Sequence, residues 1–371
     1  MAPAHVSAGT AGDVMPTLIL HFDVNETILV ADPAGGDTLT DCLNKSVAKN
    51  AYVWEPSRET TPGVRHWCDG TVIGSESPVP PLVPDWKWPE GCMPYYRAYS
   101  EDKEELKCFT EPGRAGAAYR TVYNQMMTSL EWPEDSRASA NGRLCREEGL
   151  HFLLPALFRT ICELERQGRS FGVVIRTFGS DIEDVVEALN AFASGTHLSE
   201  FQTTTPFPTI DKHNVWDGKY SDTGNFTLTC RADGTLIEDE DVILDVMEGR
   251  YAQKGKRFHV VACTDDYSWW KGNGYMPSAG KPVWVTQDDR RYHHIFFDDN
   301  IHNLAHDSIV AVRTRSGASS PFAPLSGEDT LSLHGVHLVR VPTFAAILDQ
   351  HWFLKQIAGC EENLRSKTQE S

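Results

Sequence analysis

The chain has 371 residues and a formal net charge of −18, with 40% hydrophobic and 23% charged residues. This composition is that of a globular protein, and the length predicts about two domains or one domain with large insertions. The charges form no long block of one sign, which argues against a nucleic-acid-binding surface and against an anionic membrane face. An anionic small substrate would therefore need a cation or local basic groups at its site.

The spacing of the cysteines and the length of the apolar runs predict the cellular compartment of the protein. The nine cysteines lie far apart, without a Cys-x-x-Cys pair, which supports neither a disulfide framework nor a tetrathiolate zinc site. The sequence predicts neither a transmembrane helix nor a secretory signal in its first residues. We expect a cytoplasmic protein with reduced thiols and a flexible N-terminal segment over residues 1–16.

The first predicted element is a buried strand that begins at Thr17 and runs through an apolar stretch to Asp23. Short apolar runs bounded by polar residues are typical of strands in parallel sheets. Open α/β sheets bind ligands outside the carboxyl ends of their strands. Asp23 is therefore a candidate functional acid, and capping of the next turn is the alternative role.

A large insertion is predicted after this strand, over residues 39–149. It begins with a helix at 39–51, capped by Asp37 or Thr38, and includes another helix at 116–130. Residues 53–98 contain four tryptophans and eight prolines with little periodicity. This composition indicates an ordered, irregular segment. Its role is either structural or that of a lid over a site.

The next elements alternate between helix and strand, which favours an α/β fold. A helix is predicted from His151 to Gln167, then a strand that ends at Thr177, then a helix with a capping box formed by Ser180 and Glu183.

The remaining chain is predicted as a second irregular insertion at 196–254, with a short helix at 241–248, followed by more core elements. A strand RFHVVACT precedes a loop, and strands RYHHIFFDDN and SIVAVRT come next. The core is expected at 17–38, 150–195 and 255–358, and residues 359–371 as a solvated tail.

Three predicted strands end in polar residues: Asp23 with Asn25, Thr177, and Asp298 with Asp299. In a parallel sheet these ends lie along one edge. Such oxygen-rich side chains suit Mg²⁺. A hydroxyl beside Gly179 at a helix N-terminus suits a phosphate. Together they indicate an aspartyl-phosphate mechanism.

Here the chain resembles the haloacid dehalogenase-like (HAD) superfamily, most of whose members are Mg²⁺-dependent phosphohydrolases. The first family motif is an apolar strand followed by Asp-x-Asp-x-Thr, and the chain has Asp23-Val24-Asn25-Glu26-Thr27. The second motif matches the strand ending at Thr177, and the fourth matches the strand ending in Asp298 and Asp299. For the third motif, a lysine upstream of the fourth, Lys281 is the first candidate and Lys271 the second.

The resemblance implies a doubly wound, mostly parallel, Rossmann-like sheet with the first insertion placed as a cap, whose tryptophans could close the site against water. It implies a small phosphorylated substrate, Asp23 as nucleophile and Lys281 as the residue that offsets negative charge. The implied Mg²⁺ ligands are Asp23, the backbone carbonyl of Asn25, Asp298 and Asp299. The implied phosphate site is Thr177, Phe178 and Gly179.

Asn25 departs from the family pattern, in which the phosphatases carry a general acid/base Asp. An amide cannot transfer this proton, a contribution of about 10²–10⁴-fold. Three alternatives follow. The enzyme hydrolyses substrates with good leaving groups or uses an acid/base from elsewhere, with His21 and Glu26 adjacent but expected to point away. It performs dehalogenase or phosphonatase chemistry. Or it binds phosphate without turnover.

Other polar residues receive structural interpretations. His302 and His306 are four positions apart and are expected on a helix surface rather than in a metal site. Asp265 and Asp266 are expected as turn acids rather than extra metal ligands. Arg176 precedes Thr177 on its strand, so we expect its side chain on the opposite face, outside the site.

Overall fold

A computed structural model describes residues 15–32, 35–61, 63–74, 78–251, 256–287 and 289–370, with side chains described to residue 367. The predicted flexible segment at 1–16 lies outside the described residues, apart from its last two positions.

The strands of the described residues include long buried runs rich in β-branched and aromatic side chains, as parallel sheets require. They are β1 Thr17–Asp23, β2 Tyr52–Trp54, β3 Cys92–Pro94, β4 Phe171–Thr177, β5 Val215–Tyr220, β6 Phe226–Cys230, β7 Leu236–Ile237, β8 Phe258–Thr264, β9 Lys281–Thr286, β10 Tyr292–Asp298, β11 Ile301–Leu304, β12 Asp307–Ser308, β13 Val310–Arg315, β14 Ala323–Pro324 and β15 Leu338–Arg340.

The helices lie between these strands and in the first insertion. They are α1 Leu39–Ala48, α2 Tyr95–Ala98, α3 Lys103–Lys107, α4 Arg120–Leu130, α5 Glu134–Arg137, α6 Pro155–Arg166, α7 Ile182–Ala193, α8 Glu240–Met247, α9 Tyr267–Gly272, α10 Gly327–Leu331, α11 Thr343–Leu348 and α12 Trp352–Glu370. None of the helices in the described residues is long and apolar enough to cross a membrane.

An eight-stranded central sheet with the order β15-β10-β1-β4-β8-β5-β6-β7 organises the chain. The strands from β15 to β5 pair in parallel, and β6 and β7 add to the edge as antiparallel strands. This mostly parallel sheet, flanked by helices, confirms the α/β fold class. The chain passes from β1 to β4 and β8 on one side and reaches β10 and β15 on the other, so the strand order reverses beside β1.

The two faces of this sheet bury different residues, because successive side chains of a strand point to opposite sides. The first face is defined by strand residues of the largest hydrophobic core: Leu18, Leu20, Phe22, Val173, Ile175, Val260, Ala262, Ile295 and Phe297. The second face is defined by the alternate residues Ile19, His21, Val174, Arg176, His259, Val261, Cys263, His294 and Phe296.

Different elements cover these two faces. Buried residues of α1, α4, α6, α7, α11 and α12 join the core of the first face. The second face is covered by α8 and by a small sheet of order β14-β13-β9, through residues such as Met247, Trp284 and Val283. In the expected doubly wound arrangement helices cover both faces of the sheet, whereas here the second face is covered by a helix and a second sheet.

The first insertion packs on the sheet. Val47, Trp67, Tyr95 and Met126 belong to the same hydrophobic core as Phe22. Thr38 caps α1 with a full capping box, as predicted, and α1 ends at Ala48 rather than at residue 51. Of the tryptophans expected to close the site, Trp67 is buried in this core.

Two predicted helix starts were wrong. The expected helix from His151 begins instead at Pro155, because the residue before a proline disfavours helical backbone, and Leu154 has a φ of −57° and a ψ of 131°, outside the helical region. The capping box at Ser180 and Glu183 does not form. Asp181 occupies the N-cap of α7, and no side-chain hydrogen bond caps the helix in the described part of the chain.

Several segments expected to be irregular are regular. Residues 215–237 contain β5, β6 and β7, which extend the central sheet, and β6 alternates buried and half-buried residues. The expected loop after β8 contains α9 and leads into β9. Residues 359–370, expected as a solvated tail, continue α12, where Cys360 and Glu361 are buried. His302 lies on strand β11, not on a helix.

Candidate active site

Three buried acids meet where β1 and β10 end. Asp23 is the last residue of β1, Asp298 is the last residue of β10, and Asp299 follows it. One carboxylate oxygen of each lies within 4.8 Å of the others. Because β1 and β10 are parallel neighbours beside the point where the strand order reverses, this is where open α/β sheets form ligand sites.

Lys281 joins two of these acids. Its Nζ donates to Asp23 Oδ1, and to Asp298 Oδ2 at 2.8 Å. The lysine is the first residue of β9, and its backbone N–H donates to the carbonyl of Ile309 at 2.7 Å, so the second sheet fixes its position. The first lysine candidate thus contacts the acids, whereas Lys271 is exposed on α9.

The ionisation of this cluster is strongly perturbed. Burial and the neighbouring Asp298 carboxylate raise the pKa of Asp23 well above its usual value, although Lys281 acts in the opposite direction. Burial likewise raises the pKa of Asp298. Burial disfavours the charged form of Lys281, but Asp23 and Asp298 outweigh it and raise the lysine pKa above its ordinary value. Lys281 is therefore a fixed positive charge against acids that resist ionisation.

A second lysine, which the sequence did not reveal, contacts the third acid. Lys49 follows α1, and its Nζ donates to Asp299 Oδ2 at 2.8 Å and also to Glu26. Glu26 was expected to point away but is buried beside the cluster, with a left-handed φ of 58° that is uncommon outside glycine. Its position depends on the turn after β1, where Thr27 Oγ1 accepts from the Asp299 N–H at 3.2 Å.

The cluster has more negative than positive charge. When all groups are ionised, four carboxylates face two lysines, which leaves two uncompensated negative charges: Asp23, Glu26, Asp298 and Asp299 against Lys49 and Lys281. Uncompensated buried charge is costly unless a counter-ion neutralises it. The donor atoms are all oxygens, a chemistry compatible with Mg²⁺. Asp23, Asp298 and Asp299 could hold such an ion.

The predicted phosphate residues lie beside Lys281 and Asn25. The ring of Phe178 lies 5.1 Å from Lys281 Nζ, and Thr177 Oγ1 accepts from the Gly179 N–H at 2.8 Å. A β-carbon on Gly179 would lie 2.6 Å from Asp181 Oδ2, 3.1 Å from Asn25 Nδ2 and 3.3 Å from Thr177 Oγ1. Glycine therefore leaves room for these three polar side chains to approach one another.

Asn25 is held by an acid that the sequence analysis missed. Its Nδ2 donates to Asp181 Oδ2 at 3.1 Å. An Asp at an N-cap usually accepts from its own helix, but the Asp181 side chain does not cap α7 in the described residues. Asn25 Oδ1 is buried and has no hydrogen-bond partner among them. The amide therefore positions a carboxylate and leaves an acceptor for a ligand.

Arg176 bonds none of these acids, although it pairs in register with Asp23 and so lies on the same face of the sheet. It is buried on the second face, forms a bidentate ion pair with Asp265 and donates to the carbonyl of Pro282 at 2.9 Å. Asp265 is therefore an ion-pair partner rather than a turn acid, and Asp266 caps α9 by accepting from Trp269 N–H.

The missed residues differ in whether the sequence carries a signal for them. Asp181 follows Gly179 and Ser180 at a predicted helix start, so an acid near the phosphate site was readable. Lys49 had no such signal, because its contact with Asp299 joins positions 250 residues apart.

Comparisons of this chain with protein-family models, with curated proteins and with solved structures gave no match.

Proposed function

We propose that this protein is a Mg²⁺-dependent phosphohydrolase of the HAD-like superfamily, acting on a small phosphorylated substrate in the cytoplasm through a phosphoaspartate on Asp23. The observation that carries the proposal is the contact of one lysine, Lys281, with both strand-end acids Asp23 and Asp298. Nine free cysteines support a reducing compartment.

The first step forms a bond between an Asp23 carboxylate oxygen and phosphorus and breaks the bond from phosphorus to the leaving oxygen. Lys281 is already placed against Asp23 and offsets charge on the phosphoryl oxygens. Thr177, whose Oγ1 accepts from the Gly179 N–H at 2.8 Å, orients those oxygens through its own hydroxyl proton. Asp298 and Asp299 would hold Mg²⁺. Its positive charge would offset the negative charge of these acids and so favour binding of a phosphate dianion beside them.

The leaving oxygen must gain a proton, and the attacking water must lose one. Asn25 does neither. In the proposed reaction Asp181 is the general acid and base. The Asn25 amide donates to its carboxylate at 3.1 Å. Water then attacks phosphorus, the bond to Asp23 breaks, and inorganic phosphate and the free carboxylate result. Asp181 thus takes the part that the family phosphatases assign to an Asp in the first motif.

Phosphate release from a panel of phosphomonoesters with Mg²⁺ tests the reaction. We expect turnover in the native chain and none above background in Asp23→Asn, which keeps the shape but removes the nucleophile. Asp222→Asn, an exposed turn residue, is the matched control and should keep full activity. Equal activity in Asp23→Asn and the native chain would refute the proposal.

The role of Asp181 has a distinct signature. Without an acid, esters with poor leaving groups suffer most. We expect Asp181→Asn to reduce kcat/KM for alkyl phosphates by about 10²–10⁴-fold and to affect aryl phosphates much less. The double variant Asn25→Asp/Asp181→Asn should regain activity on alkyl phosphates, because it returns the acid to the first motif.

The asparagine itself favours a second candidate function, a phosphate- and metal-binding protein without turnover. This candidate predicts no product from any ester in the panel, but thermal stabilisation by phosphate that depends on Mg²⁺. Asn25→Asp separates the two further: turnover that appears only in this variant would assign the native chain to binding.

A further inference from the structure

A second group of metal-ligand side chains lies at the far edge of the central sheet, away from the β1 and β10 ends. Cys230 is the last residue of β6, Asp233 lies in the turn to β7, and His213 belongs to the 3₁₀ turn Lys212–Asn214 before β5. One ligand atom of each, a sulfur, an oxygen and a nitrogen, lies within 4.8 Å of the other two.

The contacts within this group already bring the three side chains together. His213 Nδ1 lies 3.7 Å from Asp233 Oδ2, and a carboxylate oxygen of Asp233 lies within 4.8 Å of the Cys230 sulfur. Cys230 Sγ also lies 3.9 Å from the carbonyl oxygens of Lys212 and His213. Cys230 is buried, whereas His213 and Asp233 are exposed. The sulfur atom of the group is therefore buried, and the imidazole and carboxylate side chains are exposed to water.

Local hydrogen bonds fix the backbone that carries these ligands. Asp211 accepts from the His213 N–H at 2.8 Å and caps the short turn. Asp233 Oδ1 accepts from the Thr235 N–H at 3.0 Å, so its other oxygen is the one directed at His213. Gly234, with a φ of 72°, provides the left-handed residue that this tight turn needs.

We propose that His213, Cys230 and Asp233 bind a zinc ion, with water as the fourth ligand. A thiolate with an imidazole is the donor set that zinc prefers, whereas Mg²⁺ takes oxygen ligands. Tetrahedral bonds of about 2.0–2.3 Å place ligand atoms roughly 3.3–3.8 Å apart. The histidine and aspartate atoms already lie 3.7 Å apart, and both exposed side chains can close the remaining distance to Cys230.

The ion would connect the β6–β7 hairpin to the segment that leads into β5. Within the described residues, β6 and β7 are the last strands of the sheet on this side, and β7 pairs with β6 alone. A metal bound here ties the hairpin turn to the chain before β5 and stabilises the antiparallel extension of the sheet. This role is independent of the proposed phosphohydrolase chemistry.

Titration of the full chain, freed of metal by a chelator, with Co²⁺ tests the site. We expect a thiolate-to-cobalt charge-transfer band that saturates at one equivalent and disappears when Zn²⁺ displaces the cobalt. Zn²⁺ should also raise Tm. The three acids at the β1 and β10 ends contain no sulfur, so they cannot produce this band.

Matched variants assign the ligands. Cys230→Ser should abolish the band, and Cys108→Ser, which removes a half-buried thiol at the end of α3, should keep it. Because Cys230 is buried, Asp233→Asn and His213→Gln are tested as well. Each changes an exposed side chain and should weaken cobalt affinity by more than the roughly tenfold cost of losing an outer-sphere partner. A missing band, a band retained in Cys230→Ser, or unchanged affinity in both exposed variants would overturn the site.

Discussion

The two faces of the central sheet differ in the polarity of the residues that they bury. The first face shares its hydrophobic core with helices such as α1, α6 and α12, and its residues in β1, β4, β8 and β10 are apolar apart from His293 and the strand-end threonines. The second face buries Arg176, His21, His259 and His294 among its apolar residues. One strand serves both: in β4, Ile175 contributes to the helical core and Arg176 points to the other side.

Each polar group on the second face meets a partner on its own face or from the elements that cover it. Arg176 pairs with Asp265 and the carbonyl of Pro282. His259 contacts the carbonyl of Met247 at 2.9 Å, and His21 contacts His294 at 3.1 Å. Burying a polar group without a hydrogen bond is costly, so most buried polar groups are paired. The same second sheet that satisfies Arg176 also brings Lys281 to Asp23, so the polar face and the candidate site share one covering layer.

Substitutions of the neighbouring β4 residues Arg176 and Ile175 compare most directly how the two faces contribute to stability. Arg176→Met leaves Asp265 buried without its ion-pair partner, so we expect a loss of about 3–5 kcal/mol in the free energy of unfolding. Ile175→Val removes one methylene from the helical core and should cost about 0.5–1.5 kcal/mol. Chemical denaturation measures both.

The double variant Arg176→Met/Asp265→Leu is the control for this pair, because it removes both charges. It should recover most of the lost stability. Equal losses from Arg176→Met and Ile175→Val would show that the two faces do not differ in this way.

Acid should lower the stability of the folded protein, because its buried histidines resist protonation. Burial lowers the pKa of His259 to about 4. Below about pH 6.5 the unfolded chain therefore binds more protons than the folded protein, and stability falls as the pH drops towards 4, by up to about 1.4 kcal/mol per pH unit for one histidine.

His259→Gln keeps a hydrogen-bonding side chain but cannot titrate, so denaturation midpoints should depend less on pH between 6.5 and 4. His351→Gln, which changes an exposed histidine, should follow the native curve. If the two variants behave alike, His259 is not neutral in the folded protein.

Mg²⁺ should stabilise the end of the sheet where the acids meet. At a concentration of 100 Kd it would add about 2.7 kcal/mol, seen as a rise in Tm. Asp298→Asn removes a ligand and should abolish the rise, and Asp222→Asn should retain it. A Tm that does not respond to Mg²⁺ in the native chain would contradict a metal site at these acids.

Helix caps on the first face give the smallest expected effect. Thr38→Ala removes the capping box of α1, the helix that leads to Lys49, and should cost about 1 kcal/mol. Ser180→Ala, at the box predicted from sequence but not formed, should change stability by less than about 0.5 kcal/mol. The difference between the two denaturation midpoints checks which cap operates.

Local pattern determined much of the sheet and its acids. The apolar runs ending at Asp23, Thr177 and Asp298 predicted β1, β4 and β10, because a strand buried on both faces leaves a signal within a few residues. The same reasoning failed for strands β5 to β7. These strands are only partly buried, so Asp, Gly and Thr interrupt their apolar runs. In β6, the alternation of Phe226, Leu228 and Cys230 was the signal available.

Only the tertiary structure decided which charges meet. Nothing near Lys49 indicates Asp299, and nothing near Asp181 indicates that its carboxylate bonds Asn25 rather than its own helix. Likewise, strand alternation places Arg176 on the second face, but the identity of its partners depended on the turn directly after β8, which carries Asp265, and on how β9 returns to the sheet. Side-chain type and strand direction are local properties of a sequence, whereas the pairing of buried charges depends on contacts between distant segments.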